Sequence, residues 1–153
     1  MATISNDQDL RTLLGRLPAA KQRIIGLRFA QSVMRLSRDE RVNRAIATGL
    51  REDATPAELE DAYHAAKAWA TKTYTDCGKD TDWLAQADHF VAAAAAAALT
   101  PEDQLMEKSN RAWKAAMQAR MANNCEMVEG EGEPLDEVRR QYAIAGEFAD
   151  AAG

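Results

Sequence analysis

The chain has 153 residues, of which 28% are charged and 46% belong to the hydrophobic set, and its net charge is −5. That balance excludes wholesale disorder and suits one domain with one core. An acidic whole disfavours general affinity for nucleic acid or an anionic membrane surface.

In chain order, Ser5-Asn-Asp-Gln8 has the spacing of a capping box, in which a hydroxyl and a glutamine satisfy two free amides at a helix start. Leu10, Leu13, Leu14 and Leu17 follow as a helical stripe, and Gly15 and Pro18 mark its end. A second helix is predicted from Pro18 to about Ser37, with Ile25, Phe29, Val33 and Leu36 on one face. Ser37-Arg-Asp-Glu40 reads as another capping box, opening a third helix through Val42, Ile46 and Leu50. Thr55-Pro-Ala-Glu58 is the cleanest start signal, because threonine caps, proline needs no amide at that position and the glutamate reaches back. That helix presents Leu59, Tyr63, Ala66, Trp69 and Tyr74 and ends near Cys77-Gly78.

Seven consecutive alanines, Ala92 to Ala98, lie in the next segment. Alanine loses no side-chain entropy in a helix, so this run is helical, and its bare methyls let neighbours approach closely from all sides. It is therefore predicted to be the central helix, with bulkier side chains reaching in around it. Phe90 to Leu99 is too short an apolar run to span a membrane, which takes about 20 residues. Thr100-Pro-Glu-Asp103 repeats the start grammar and predicts a helix carrying Leu105, Trp113, Met117, Met121 and Cys125. After the glycine-spaced acidic loop 128–134, a last helix runs from Leu135 to Phe148, and residues 150–153 read as a loose tail. The expectation is an all-α, single-domain bundle of about seven helices over residues 1–149.

Candidate chemistry is sparse. His64, His89, Cys77 and Cys125 fall on four separate elements without metal-ligand spacing. His64 reads as solvated or singly paired, and His89 as a buried histidine held by one hydrogen bond. The three carboxylates of Asp76-Cys-Gly-Lys-Asp80-Thr-Asp82 lack the alternation of a calcium loop and read as turn chemistry. Glu58/Asp61, Glu102/Asp103 and Asp136/Glu137 all sit at predicted helix starts, where negative charge is stabilised anyway. No phosphate loop, GxSxG or HExxH occurs in the sequence. Neither an enzyme nor a cofactor is expected on these grounds. Trp69, Trp83 and Trp113 are expected to plug the core against the alanine surface. With two cysteines, no CxxC and a polar Met1-Ala-Thr-Ile start, a reduced cytoplasmic setting is expected.

Charge is unevenly placed. Residues 1–51 hold ten Lys/Arg and four Asp/Glu, a balance of +6, whereas residues 52–153 carry −11. Either the two parts attract and pack together, or one charged face meets a partner. The most concentrated field is the acidic set Glu126, Glu129, Glu131, Glu133, Asp136 and Glu137, which could steer a basic protein partner.

Two resemblances bear on function. Leu13-Leu-Gly-Arg-Leu-Pro-Ala-Ala-Lys-Gln-Arg-Ile-Ile-Gly-Leu-Arg-Phe29 resembles the opening of a sigma-factor region-four helix-turn-helix. The segment after it, Ala30-Gln-Ser-Val-Met-Arg, lacks the short turn and polar recognition helix that such a motif needs. That resemblance would imply a DNA-binding or transcription-associated module using Arg23, Arg28, Arg35, Arg38, Arg41 and Arg44. More widely, Leu27-Arg-Phe-Ala-Gln-Ser-Val-Met-Arg-Leu36, Arg41-Val-Asn-Arg-Ala-Ile46, Ala62-Tyr-His-Ala-Ala-Lys-Ala-Trp-Ala70 and the alanine block are similar to the alanine-rich, all-helical immunity proteins that accompany bacterial polymorphic toxins. Ala30-Gln-Ser-Val-Met stands where that family has a Cys-Ala-Glu-Arg-Val-Leu type run. This second resemblance implies a cytoplasmic protein that binds and blocks a toxin with no catalysis of its own.

Overall fold

Seven α-helices and two 3₁₀ turns make up the regular structure of the described residues, and no strand occurs among them. They come from a computed structural model, which describes residues 3–74, 82–105, 109–128, 130 and 136–152. In chain order the helices are α1 (Asp7–Arg16), α2 (Ala19–Ser32), α3 (Glu40–Leu50), α4 (Pro56–Tyr74), α5 (Trp83–Leu99), α6 (Arg111–Val128) and α7 (Asp136–Ala152). The 3₁₀ turns are Met34–Leu36 and Glu102–Gln104. No described helix is long and apolar enough to cross a membrane.

The alanine helix α5 lies at the centre, packed against α2, α3, α4 and α6. Ala92, Ala94, Ala95 and Ala98 are fully buried. On the side of α6 they meet Ala112, Ala115, Ala116, Ala119 and Ala122, equally buried, so this contact is methyl on methyl. Bulk enters from the other helices, with Leu10 and Leu14 on α1, Ile25, Leu27 and Phe29 on α2, and Val42 and Ile46 on α3. Where α2 crosses, a glycine backbone faces the rod directly. A Cβ placed on Gly26 would lie 2.8 Å from the Ala98 Cβ.

Helix starts follow local side-chain chemistry, with some donors differing from those expected. Thr55 and Glu58 form the predicted box, each accepting the other's amide at 3.1 and 3.0 Å. At α1, Asn6 rather than Ser5 caps, accepting from the Asp9 amide at 2.8 Å. At α3, Asp39 rather than Ser37 takes the amides of Arg41 and Val42. A carboxylate there holds two donors at once, which one hydroxyl does less well.

Three boundaries depart from expectation. Helix α2 stops at Ser32 instead of continuing to Ser37. The Ser32 hydroxyl turns to the Phe29 carbonyl and to Glu137, and Arg35 takes the Ser32 carbonyl, so no ladder remains to extend. The connection from Val33 to Asp39 is still longer than the turn of about three to four residues that a helix-turn-helix uses. Thr100-Pro-Glu-Asp103 opens only the second 3₁₀ turn, because the Thr100 hydroxyl serves the end of α5 by donating to the Ala96 carbonyl at 2.8 Å. Asn110 caps α6 instead, through the Trp113 amide. Helix α7 runs through Ala152, where a loose tail was expected.

The tryptophans are also a correction. All three are half-buried, and Trp69 and Trp113 pack against the edge of the core rather than filling its centre. Trp69 sits beneath Lys72 and Arg41, and Trp113 between Arg11 and Arg120, as cation–π platforms.

The basic first third and the acidic remainder pack together. Lys21 pairs with Glu52, Arg28 with Glu147, Arg35 with Glu126, Arg38 with Asp82, and Arg51 with Asp53 and Glu58. Most of these are exposed and individually worth about 0–1 kcal/mol, so they orient more than they stabilise.

Candidate functional site

The strap Val33–Asp39, left between α2 and α3, gathers several helix ends at one end of the bundle. Its Arg35 grips Glu126, near the end of α6, with two nitrogens at 2.6 and 3.2 Å. Its Arg38 amide donates to Asp88 Oδ1 at 2.7 Å, and the Arg38 guanidinium lies 3.8 Å from Asp82, the cap of α5. Just before the strap, Ser32 Oγ donates to Glu137 in the first turn of α7. The end of α4 joins through Trp69, whose indole N–H donates to Asp88 Oδ2 at 2.9 Å. Asp88 is only 3% exposed, yet both oxygens are satisfied, so it is a buried pin.

His89, buried beside Asp88 in the sequence, bonds Thr73 through Nδ1 at 2.9 Å and is held, as expected, by hydrogen bonding. The Thr73 hydroxyl donates to the Trp69 carbonyl at 2.7 Å, so Nδ1 carries the proton toward Thr73. Burial pushes the imidazole below its ordinary pKa and favours the neutral form. This threonine is tied to its own helix rather than poised over a cavity. His64 is exposed, 3.6 Å from Glu60, and lines a different cleft from the one beside Asp88. The two histidines therefore do not meet. Among the described residues no group of His, Cys, Asp and Glu is arranged to hold a metal ion. Cys125 is buried, and Cys77 lies outside the described residues, as do Asp76 and Asp80.

The acidic set divides on inspection. Glu129, Glu131 and Glu133 lie outside the described residues. Asp136 is half-buried in the first turn of α7. Glu126 and Glu137, expected on a partner-facing field, are instead used within the fold. Glu137 is 1% exposed and accepts from Ser32, from Arg140 Nε at 2.9 Å and from Gln141 Nε2 at 3.2 Å. It is buried because α7 lays its first turn against α2. The sequence held a signal for this, since Arg140 and Gln141 stand three and four residues on, where side chains on one helix face meet.

Sequence reasoning missed a set of exposed apolar side chains. Tyr74 is 71% exposed at the end of α4, Leu84 37% at the start of α5, and Val128 54% at the end of α6. All three lie at the strap end, and Tyr74 stacks obliquely on His89, with centroids 6.0 Å apart. Met121, also exposed, stands seven residues before Val128 on the same face of α6.

The arginines of the basic third are largely committed. Arg23 donates to the carbonyls of Gly49 and Arg51, and Arg28, Arg35, Arg38 and Arg41 pair with carboxylates. Arg44 is exposed and lines a shallow cleft between α3 and α4. Comparison with protein-family models, curated proteins and solved structures returns no match for this chain.

Proposed function

We propose that the chain is a non-enzymatic protein-binding domain that docks through its strap end, acting as an immunity-type inhibitor of a bacterial toxin with a basic surface. One observation carries this reading. Tyr74, Leu84 and Val128 are exposed at the strap end, and the sequence that follows Val128 holds three glutamates and no cation before Asp136. Scattered apolar side chains are ordinary on a protein surface, but an aromatic anchor beside a single-sign field combines hot-spot burial with electrostatic steering. The rigid strap beneath would hold that surface in place without a rearrangement on binding. The resemblance to immunity proteins supplies the partner class, and the field supplies its sign. The arginine-based alternative has less support, since five of its six arginines already hold partners inside the fold.

The test is surface-based kinetics against a basic toxin domain, sought among the products of the neighbouring genes. Charge reversal at Glu129, Glu131 and Glu133 is expected to slow association about tenfold at low salt and to flatten its salt dependence. Tyr74→Ala is expected to raise the dissociation rate, by about tenfold or more if it is an anchor. Unchanged rates in both variants would remove this end as the docking surface. Steeply salt-dependent binding to duplex DNA would favour the arginine-based alternative instead.

A further inference from the structure

The opposite end of the bundle holds a buried cation that no carboxylate touches, with Glu102 acting on it only through space. Arg111, the first residue of α6, is only 6% exposed. Its two terminal nitrogens donate to backbone carbonyls, Nη1 to Thr100 at 2.9 Å and Nη2 to Ala19 at 2.5 Å. Its Nε is buried and has no hydrogen-bond partner. Among the described residues Arg111 makes no ion pair with a carboxylate, whereas buried charges are ordinarily paired. Desolvation pushes its pKa down, Glu102 pulls it partly back, and the nearby Arg23 guanidinium adds a smaller push downward. Arg23, too, spends its donors on carbonyls alone.

Both guanidinium groups line one cleft of about 360 Å³ between α4, α6 and the second 3₁₀ turn. Leu59, Leu99, Pro56 and Pro101 give it apolar walls, and Tyr63 faces Gln104 across it at 3.4 Å, a long bond. The volume is near the lower bound for a small-molecule site, about 300 Å³. A desolvated guanidinium beside a second, half-buried one attracts an oxyanion, and the walls accept a flat apolar body.

We infer that this cleft binds a small organic oxyanion, a carboxylate or phosphate monoester with an aromatic or branched aliphatic body. The oxyanion lies between the two arginines and reaches the buried Arg111 Nε–H once Gln104 gives way at the mouth. Glu60 and Asp103 at the rim select against ligands carrying more than one such group. This inference is independent of the docking surface, which lies at the other end.

The probes are benzoate and phenyl phosphate, with benzamide as the neutral isostere and sodium chloride at matched ionic strength. One or both anions are expected to raise Tm saturably and to displace the Arg111 Nε–Hε resonance, while benzamide and chloride do neither. A response to benzoate alone assigns a carboxylate ligand, and a response to phenyl phosphate alone a phosphate. Arg111→Gln is expected to abolish the response, and Arg23→Gln to weaken affinity by about tenfold. If Arg111→Gln does not fold, the wild-type resonance and Arg23→Gln decide. No anion-specific response, or one that Arg23→Gln leaves intact with the Arg111 resonance unmoved, overturns the inference.

Discussion

Adding one methyl group to a helix should have opposite signs at different glycines of this protein. At Gly26 a new Cβ would stand 2.8 Å from Ala98 Cβ, with Ala112 Cα at 3.4 Å and Ala115 Cβ at 3.5 Å. Carbon contacts are most favourable near 3.5–4.0 Å, so α2 would have to back away from α5 by roughly 1 Å. None of the three obstructing atoms can rotate aside, because each is a backbone atom or an alanine methyl. Overpacking costs about 1–3 kcal/mol, whereas exchanging glycine for alanine in a helix gains about 1 kcal/mol. The steric term wins, and Gly26→Ala is expected to lose about 1–2 kcal/mol, or about 2–8 °C in Tm. Gly15 and Gly146 have nothing within 4 Å of the same position, so alanine there should gain about 0.5–1 kcal/mol. Urea unfolding of the three variants reads both signs, and Ala98→Gly should partly rescue Gly26→Ala in a double-mutant cycle. A Gly26→Ala protein as stable as Gly15→Ala would refute the close crossing of α2 over the rod.

Two other outcomes follow from the strap end. Asp88→Ala leaves the Arg38 amide and the Trp69 indole without their buried acceptor, which should cost about 2–4 kcal/mol in urea unfolding and quicken exchange of the Trp69 indole proton. His89 binds a proton less readily when folded, so below pH 6.5 the unfolded chain takes up the extra proton and stability falls as pH falls. His89→Gln should flatten that slope in pH-dependent melting. It should not touch the separate loss below pH 3.8, where Asp7 and Asp39, held low by Arg120 and Arg41, begin to protonate in the unfolded chain.

What the sequence disclosed was whatever propensity and near neighbours decide. The alanine run could be placed at the centre because small side chains in a helix allow close approach on every side, and α5 does pack against four helices. The Thr55–Glu58 box was legible because both partners lie within one turn. The end of α2 was not, since it depends on Ser32 meeting Glu137, which is 105 positions away. The same contact hides Glu137 from solvent, so an acidic segment that looks uniformly exposed contains a core residue. Tryptophan placement failed too, as α6 turned out to be alanine-faced and Trp69 and Trp113 pack at the edge of the core. Arg111 gave no local sign either, because its partners are carbonyls and carbonyls leave no trace in side-chain pattern.

The alanine-to-alanine seam between α5 and α6 also governs how the molecule can move. An alanine has no χ angle, so this interior has no alternative rotamers into which a disturbance could be absorbed or relayed. A message carried along this seam would travel as the sliding or tilting of whole helices against each other, a shear rather than a reshuffling of side chains.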